Sequence, residues 1–213
     1  MSVAALARAP SSRDKILDVA EGLFARRGYS GVGMREVADG VGLGKSSVFH
    51  HFKSKAELYS AVCIRILATI ERALVGSLAI GGKPTLRLER CIGTLVDVLV
   101  DHPTYARLLL RSMFEDDDLP RDGPESESVH RAIGGVLEPM AALLREGMAA
   151  GELRVASVPH VLILLVGSMV FPFASGDFGH ELLGADVFER DQVRRLKREA
   201  LDLVRAGVGA THG

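Results

Sequence analysis

The sequence contains few aromatic residues and no tryptophan; Phe, Tyr and Trp together make up 5% of its 213 residues. Strand-like alternation of apolar and polar residues is also missing, whereas Leu, Ala and Val are abundant and recur at helical spacing. A chain of this length is long enough to bury a hydrophobic core. These features argue against a sheet protein and predict an all-α fold.

Cysteine is equally scarce in the sequence. The two cysteines, Cys63 and Cys91, lie on different predicted helices and show neither a metal-ligand nor a Cys-x-x-Cys spacing. We therefore expect buried, reduced thiols in a cytoplasmic protein. A redox-sensor role is a lesser alternative, because it needs an exposed and electropositive setting that the neighbouring residues do not suggest.

The sequence also lacks an apolar run long enough to span a membrane. Its longest run, residues 158–174, is shorter than the roughly 20 apolar residues of a spanning helix and contains Pro159, His160 and Pro172. We interpret it as a helix that is buried on all sides. Residues 1–10 lack the long apolar segment of a signal peptide and are expected to form a disordered lead. A cytoplasmic location without membrane contact is predicted.

No constellation of catalytic or metal-binding residues is found in the sequence. The seven histidines are scattered, and no Ser/His/Asp, Cys/His or metal-ligand spacing occurs. Adjacent His50 and His51 would diverge on a helix and could not chelate one ion. The acidic stretch 115–128 has no fixed ligand spacing and is expected to be a solvated loop. We predict no enzyme activity, no cofactor and no metal site.

The charges are nearly balanced over the whole chain but not along it. The net charge of −1 would by itself argue against a nucleic-acid-binding protein. Residues 1–60 carry nine Lys and Arg against six Asp and Glu, a net charge of +3, so the remaining residues carry −4. A small basic module on an acidic body fits sequence-specific DNA binding better than non-specific coating of nucleic acid.

The segment 33–57 has the pattern of two short helices joined by a glycine-containing turn. Apolar residues recur at i, i+3, i+4 and i+7 across residues 34–41, and Gly42 then interrupts this periodicity. A second short helix is predicted over 45–51. This arrangement is a helix-turn-helix, whose second helix enters the major groove of DNA.

Part of the same segment resembles a nucleotide-binding P-loop, because Gly44-Lys45-Ser46 matches the end of that motif. The first glycine of the motif would fall on Asp39, and an amphipathic helix precedes it where the motif requires a strand. A carboxylate in a phosphate cradle would repel the ligand. We therefore reject the nucleotide-binding interpretation.

A longer set of residues in fixed order carries a family resemblance: Phe24, Gly28, Tyr29, Val37, Ala38, Gly42, Leu43, Lys45, Ser47, Val48, Phe49, Phe52, Lys55 and Leu58. Through these residues the first third of the chain resembles the TetR family of bacterial transcriptional regulators. Three positions depart from the family pattern. Gly33 stands where the family commonly has Ser or Thr, Gly44 where it commonly has Ser, and Phe49 where it commonly has Tyr. The two glycines replace capping hydroxyls at a cost of about a few tenths of a kcal/mol each.

The resemblance implies an N-terminal three-helix helix-turn-helix DNA-binding head on a C-terminal helical bundle for ligand binding and dimerisation. We place the head at residues 11–75 and the effector-binding and dimerisation domain at 76–213. A fourth helix, which begins after Ser54, is expected to leave the head and enter the body, because its apolar stripe continues for about six turns. Further helices are predicted at 85–101, 103–114, 129–150, 158–174 and 189–206, with a glycine-containing loop after residue 174.

The predicted DNA contacts lie on and around the second helix of the motif. Basic side chains there can reach phosphates or guanine edges, and small hydroxyl side chains allow the backbone to approach the bases. Phe49 lacks the hydroxyl that relatives offer to a phosphate. The predicted DNA-binding residues are Arg35, Lys45, Ser46, Ser47, Phe49, His50 and Lys55.

The C-terminal helices offer apolar walls for a ligand, which the resemblance implies they enclose. The scarcity of aromatic residues argues against a cage for cationic drugs and favours a neutral or acyl-like hydrophobic effector. A homodimer is expected through the last two long helices. The predicted ligand-binding residues are Leu95, Leu99, Tyr105, Leu109, Met113, Phe114, His130, Ile133, Met140, Leu165, Met169 and Phe173.

The sequence therefore predicts a ligand-responsive transcriptional regulator, which family grounds favour as a repressor. As a homodimer it would bind a palindromic double-stranded DNA operator and would be released by a small hydrophobic effector. The alternative is a helical small-molecule binding protein or minor enzyme that has lost DNA binding, since Gly33, Gly44 and Phe49 depart from the family pattern.

Overall fold

The computed structural model describes residues 11–115 and 122–208, and this part of the chain is built from helices without a strand. The predicted disordered lead 1–10 lies outside the described residues. The helices are α1 (Ser12–Arg27), α2 (Met34–Val41), α3 (Lys45–His51), α4 (Lys55–Leu78), α5 (Pro84–Asp101), α6 (Tyr105–Leu110), α7 (Pro124–Ala149), α8 (Val158–Ala174), α9 (Gly176–Leu183) and α10 (Arg190–Val208), and a π-helical turn at Arg111–Glu115 continues α6.

Helices α1 to α3 form the head. A capping box starts α1, because the Ser11 hydroxyl accepts from the Asp14 amide while the Asp14 carboxylate accepts from the Ser11 amide. The turn between α2 and α3 is made at Gly42, whose φ of 73° and ψ of 30° are left-handed and favour glycine. The helix-turn-helix predicted from the sequence is therefore confirmed.

Helix α4 joins the head to the body. Ser54 caps its N-terminus by accepting a hydrogen bond from the Glu57 amide at 3.0 Å. The predicted apolar stripe is buried along the whole helix, and the head and the body share one continuous hydrophobic core. The boundary predicted at residue 75 falls inside α4, so this helix belongs to both parts. The buried stripe consists of Leu58, Val62, Ile66, Ile70 and Leu74.

The body departs from the sequence prediction at two segments. Helix α7 begins at Pro124, inside the predicted loop 115–128, because proline suits the first helical position. Residues 116–121 of that predicted loop lie outside the described residues. The predicted glycine-containing loop after residue 174 contains α9. Gly179 is buried there, in contact with Ser175, which shows that the glycine serves close packing rather than an open loop.

Within one protomer, helix α8 is not buried on all sides as the sequence predicts. Its inner face packs in the core, but Ile163, Leu164 and Phe171 are 72%, 71% and 53% exposed. Within residues 11–115 and 122–208, no single helix has the length and apolarity needed to cross a membrane; α8 and α9 reach both only together, as a pair bent by 90°.

Candidate DNA-binding surface and effector-binding interior

Helix α3 has two chemically different faces. On its inner side, Val48 and the following Phe52 have no exposed surface and pack in the core of the head. The opposite side is polar and exposed. Because seven residues make only two turns, burial of these two apolar side chains fixes which side chains face outward. The predicted residues on the exposed side are Lys45, Ser46, Ser47 and His50.

Two cation–aromatic contacts support α3. The Lys45 ammonium lies 5.5 Å from the centroid of the Phe49 ring, one helical turn further along. The Arg13 guanidinium on α1 lies 5.0 Å from the centroid of the Phe52 ring. Such contacts contribute about 0.5–1 kcal/mol at exposed sites. Phe49 is half-buried, so its ring can restrict the position of Lys45 without presenting a polar group itself.

Lys55 occupies a different environment from the other predicted DNA contacts. Its ammonium donates a hydrogen bond to the Tyr29 carbonyl oxygen at 3.0 Å and lies 4.2 Å from the centroid of the Tyr29 ring. A phosphate would compete with both interactions. Lys55 therefore fixes the loop after α1 to the start of α4, and its contact with DNA stays a prediction.

Arg35 is exposed at the start of α2, and an ion pair beside it holds that helix. The Arg27 guanidinium pairs with the Glu36 carboxylate and also donates to the Gly31 carbonyl oxygen at 2.6 Å. No sequence spacing indicates this role of Arg27, because the ion pair joins two helices across a loop.

Most of the predicted effector-contacting residues lie in the body core. Leu109 and Ile133 are half-buried, whereas Met113 and His130 are exposed and line no part of that core. The His130 ring bonds instead to its own helix, 2.8 Å from the Ser126 carbonyl oxygen. The side chain of Phe114 lies outside the described residues. The buried members are Leu95, Leu99, Tyr105, Met140, Leu165, Met169 and Phe173.

Neither cysteine lies in a reactive environment. Cys63 and Cys91 are both buried, and burial raises the pKa of the Cys91 thiol although Ser77 offers it a hydrogen bond. A raised pKa lowers the thiolate fraction at neutral pH, which disfavours the redox-sensor alternative. Among the residues that the structure describes, no group of three or more His, Cys, Asp or Glu could hold a metal ion.

The outward faces of α8 and α10 differ in chemistry. The exposed face of α8 is apolar and continues onto α9 through Phe171 and Phe178, whose ring centroids are 6.3 Å apart. The outward face of α10 is charged. A shallow groove of about 450 Å³ on this face is lined by Asp191, Arg194, Arg195 and Arg198.

Comparison with known proteins identifies both parts of the chain. Residues 16–62 match the bacterial regulatory proteins of the tetR family, and residues 84–204, more than half of the chain, match the tetracyclin repressor-like C-terminal domain. The HTH-type transcriptional activator FasR of Mycolicibacterium smegmatis is 31% identical over 105 residues, which cover 49% of this chain and 46% of FasR. The match therefore spans about half the length of such curated relatives.

Solved structures share the whole architecture. The transcriptional regulator FadR from Bacillus subtilis, in complex with stearoyl-CoA, superposes with a TM-score of 0.73 at 15% identity over 91% of this chain and 97% of FadR. AibR, in complex with isovaleryl coenzyme A and operator DNA, gives the same TM-score, identity and coverage. At this identity the likeness shows the fold alone. With both family matches in place, the chain belongs to the TetR family of bacterial transcriptional regulators.

Proposed function

We propose that the protein is a homodimeric repressor that binds a palindromic operator and is released by an acyl-CoA or a similar hydrophobic acyl compound. The observation that carries the DNA-binding part is the two-faced helix α3. Its apolar side is fully buried at Val48 and Phe52, and its exposed side presents hydroxyl and basic groups. Such a helix has the size and chemistry to enter a major groove.

The exposed groups divide into two kinds of DNA contact. Ser46 and Ser47 are short and lie in the first turn of α3, where they allow close approach to base edges. Lys45 and Arg35 supply positive charge for phosphates, which position the protein without reading sequence. In a homodimer the two α3 helices would enter successive major grooves about 34–36 Å apart, which predicts a palindromic site.

The exposed apolar face of α8 and α9 supports the proposed dimer. Ile163, Leu164, Phe178 and Leu182 are each more than half exposed in one protomer, and a second copy would remove them from water. About 1.5–3 kcal/mol is typical for the full burial of one such side chain.

The basic face of α10 does not fit the centre of that interface. The groove on α10 carries the three arginines Arg194, Arg195 and Arg198 against one carboxylate, so a two-fold axis through it would set two net-positive patches against each other. Leu203 on the same helix is 70% exposed and is compatible with a flanking contact. We therefore modify the prediction from the sequence: α8 and α9 form the centre of the dimer, and α10 contributes at its edge.

The buried interior of the body supports a hydrophobic effector. The buried core side chains of its described helices are apolar, and the hydroxyl of Tyr105 is one of the few polar groups among them. Two proteins of the same fold hold acyl-CoA molecules, stearoyl-CoA in FadR and isovaleryl coenzyme A in AibR. Shared fold and apolar walls together favour the acyl group as the part that the body recognises.

A gel shift with the DNA upstream of the protein's own gene tests the DNA-binding proposal. Lys45→Ala and Ser47→Ala should abolish the shift without changing the dimer, and Lys83→Ala is the control because Lys83 is an exposed lysine of the body. If both α3 variants shift DNA like the wild type, α3 is not the reading helix. If the wild type shifts no upstream DNA, the helical binding protein without DNA binding becomes the better interpretation.

The effector proposal needs a separate titration. Stearoyl-CoA and isovaleryl-CoA are added to the preformed complex, and free coenzyme A is the control for the nucleotide part. Release by an acyl-CoA but not by coenzyme A supports an acyl effector. A promoter fusion then distinguishes the two directions of control: a repressor lowers expression from its operator, whereas an activator such as FasR would raise it.

A further inference from the structure

Helices α1 and α4 meet the residue before α6 in a polar cluster. We call this cluster the head–body junction; it is formed by Asp18, Glu21, Arg65 and Thr104. The Arg65 guanidinium on α4 donates to Asp18 on α1 at 2.6 Å and to Glu21 on α1 at 2.7 Å. The second carboxylate oxygen of Glu21 accepts from the Thr104 hydroxyl at 2.6 Å. Thr104 is the residue before α6, so the junction ties the first helix of the head to an element of the body.

The Glu21–Arg65 pair of the junction is partly removed from solvent. The side chains of Glu21 and Arg65 are 16% and 26% exposed, whereas that of Asp18 is 65% exposed. Hydrogen bonds to charged groups in such settings are stronger than those between neutral groups. Burial alone would lower the pKa of Arg65, but its hydrogen bonds with Glu21 and Asp18 raise it above the ordinary value. The Arg65 guanidinium of the junction therefore stays charged at neutral pH.

The residue after Thr104 belongs to the body core. Tyr105 is 5% exposed and packs among the buried apolar side chains. Its ring also stacks on His102, with centroids 4.3 Å apart and planes 7° from parallel. Thr104 thus contacts the head, and the next residue packs in the body core among the predicted effector contacts.

We propose that the head–body junction transmits displacement of Tyr105 to α1, so that the orientation of the head follows the start of α6 as well as α4. A ligand that moves Tyr105 would pull or release Thr104, and through Glu21 it would tilt α1 and the helix-turn-helix packed against it. This inference rests on the proposed effector response for its use in regulation. The mechanical link itself does not depend on which ligand binds.

Thr104→Val is the variant that isolates the link. Valine has the shape of threonine without the hydroxyl, and the Thr104 hydroxyl makes no capping bond to α6, so the helix start is preserved. Glu21 keeps Arg65 as its partner. Thr85→Val is the matched control, because the Thr85 hydroxyl bonds Glu152 at 3.3 Å entirely within the body.

Spin labels at Ser46→Cys on α3 and Ala142→Cys on α7 report the position of the head relative to the body; both sites are exposed, whereas the native cysteines are buried. Double electron–electron resonance on full-length protein, diluted with unlabelled protein, gives the distribution of this distance. We expect a broader or shifted distribution for Thr104→Val and an unchanged one for Thr85→Val. Identical distributions for wild type and Thr104→Val, with matching thermal unfolding, would overturn the link.

Operator release by stearoyl-CoA provides the regulatory readout. We expect Thr104→Val to need about tenfold more stearoyl-CoA for half-release, which is the scale of one hydrogen bond to a charged acceptor. An unchanged half-release concentration would overturn the regulatory role. If stearoyl-CoA does not release the wild type, the proposed effector fails, but the spin-label distances still test the junction.

Discussion

Two glycines of α7, Gly147 and Gly134, are expected to respond in opposite directions to substitution by alanine, because only one of them is closely packed. Gly147 is buried, and its carbonyl oxygen accepts from the amides of Glu152 and Leu153, each at 3.0 Å, where the chain turns back after the helix. A Cβ atom at Gly147 would lie 2.6 Å from Leu153 Cδ1 and 3.1 Å from Pro84 Cβ. Gly134 lies in the same helix, is exposed, and would place a Cβ with no atom within 4 Å.

Alanine favours a helix over glycine by about 0.8–1 kcal/mol, so propensity alone predicts that both substitutions stabilise the protein. At Gly147 the added methyl group must displace Leu153, which is 3% exposed and cannot move into solvent without leaving the core. Overpacking of this kind costs about 1–3 kcal/mol. The net expectation is a loss of up to about 2 kcal/mol for Gly147→Ala and a gain of up to about 1 kcal/mol for Gly134→Ala.

Urea unfolding of both variants, at one protein concentration, measures the change in the free energy of unfolding. A fixed concentration is needed because dimerisation contributes to apparent stability. Equal stability of Gly147→Ala and Gly134→Ala would contradict the predicted clash with Leu153. A third variant, Gly147→Ala with Leu153→Ala, should recover part of the loss relative to Leu153→Ala alone, because the clash is then absent.

The dimer surface and one ion pair give two further predictions. Ile163→Glu should raise the dimer dissociation constant, measured by sedimentation, more than a hundredfold, because both copies lose apolar burial and gain a carboxylate in the interface. Val155→Glu is the control: it lies at an 86% exposed site and should leave the dimer intact. Equal dimerisation of both variants would exclude the α8–α9 face. Glu89→Gln should lower stability at pH 7 by about 0.5–1 kcal/mol, since hydrogen bonds from Arg205 hold the pKa of Glu89 below its ordinary value of 4.5. Because the folded pKa is the lower one, this difference is fully present above pH 4.5 and should vanish as the pH falls through the folded pKa. A difference that persisted below the pKa of Glu89 measured in the folded protein by NMR titration would show that the charge of Glu89 is not its cause.

The long elements were predictable because local signals agreed with tertiary burial. The Ser54 cap and the apolar stripe from Leu58 to Leu74 fixed α4 within one residue at its start. The helix-turn-helix was predictable for the same reason, since Gly42 needs the left-handed conformation that the pattern implied. In these elements periodicity, capping and turn chemistry all indicate one structure.

The remaining features depend on contacts between distant residues, which periodicity does not encode. Gly179 in α9 suggested a loop, but in the fold it permits close packing against Ser175. The apolar composition of α8 predicted burial on every side, although one protomer leaves the face around Ile163 exposed. The attachment of Lys55 to Tyr29 joins residues 26 positions apart and was invisible in the motif.

The single stripe along α4 limits how this protein can be recombined with its relatives. A chimera that joins this head to the body of a relative must be spliced inside α4, because the core of the head is continuous with the core that α4 forms with the body. Insertion or deletion of one residue at the splice would rotate everything beyond it by about 100°. Leu74 would then turn out of the core while Leu58 stayed in it, so only splices that keep the register of the stripe should yield a regulator in which body and head remain in mechanical contact.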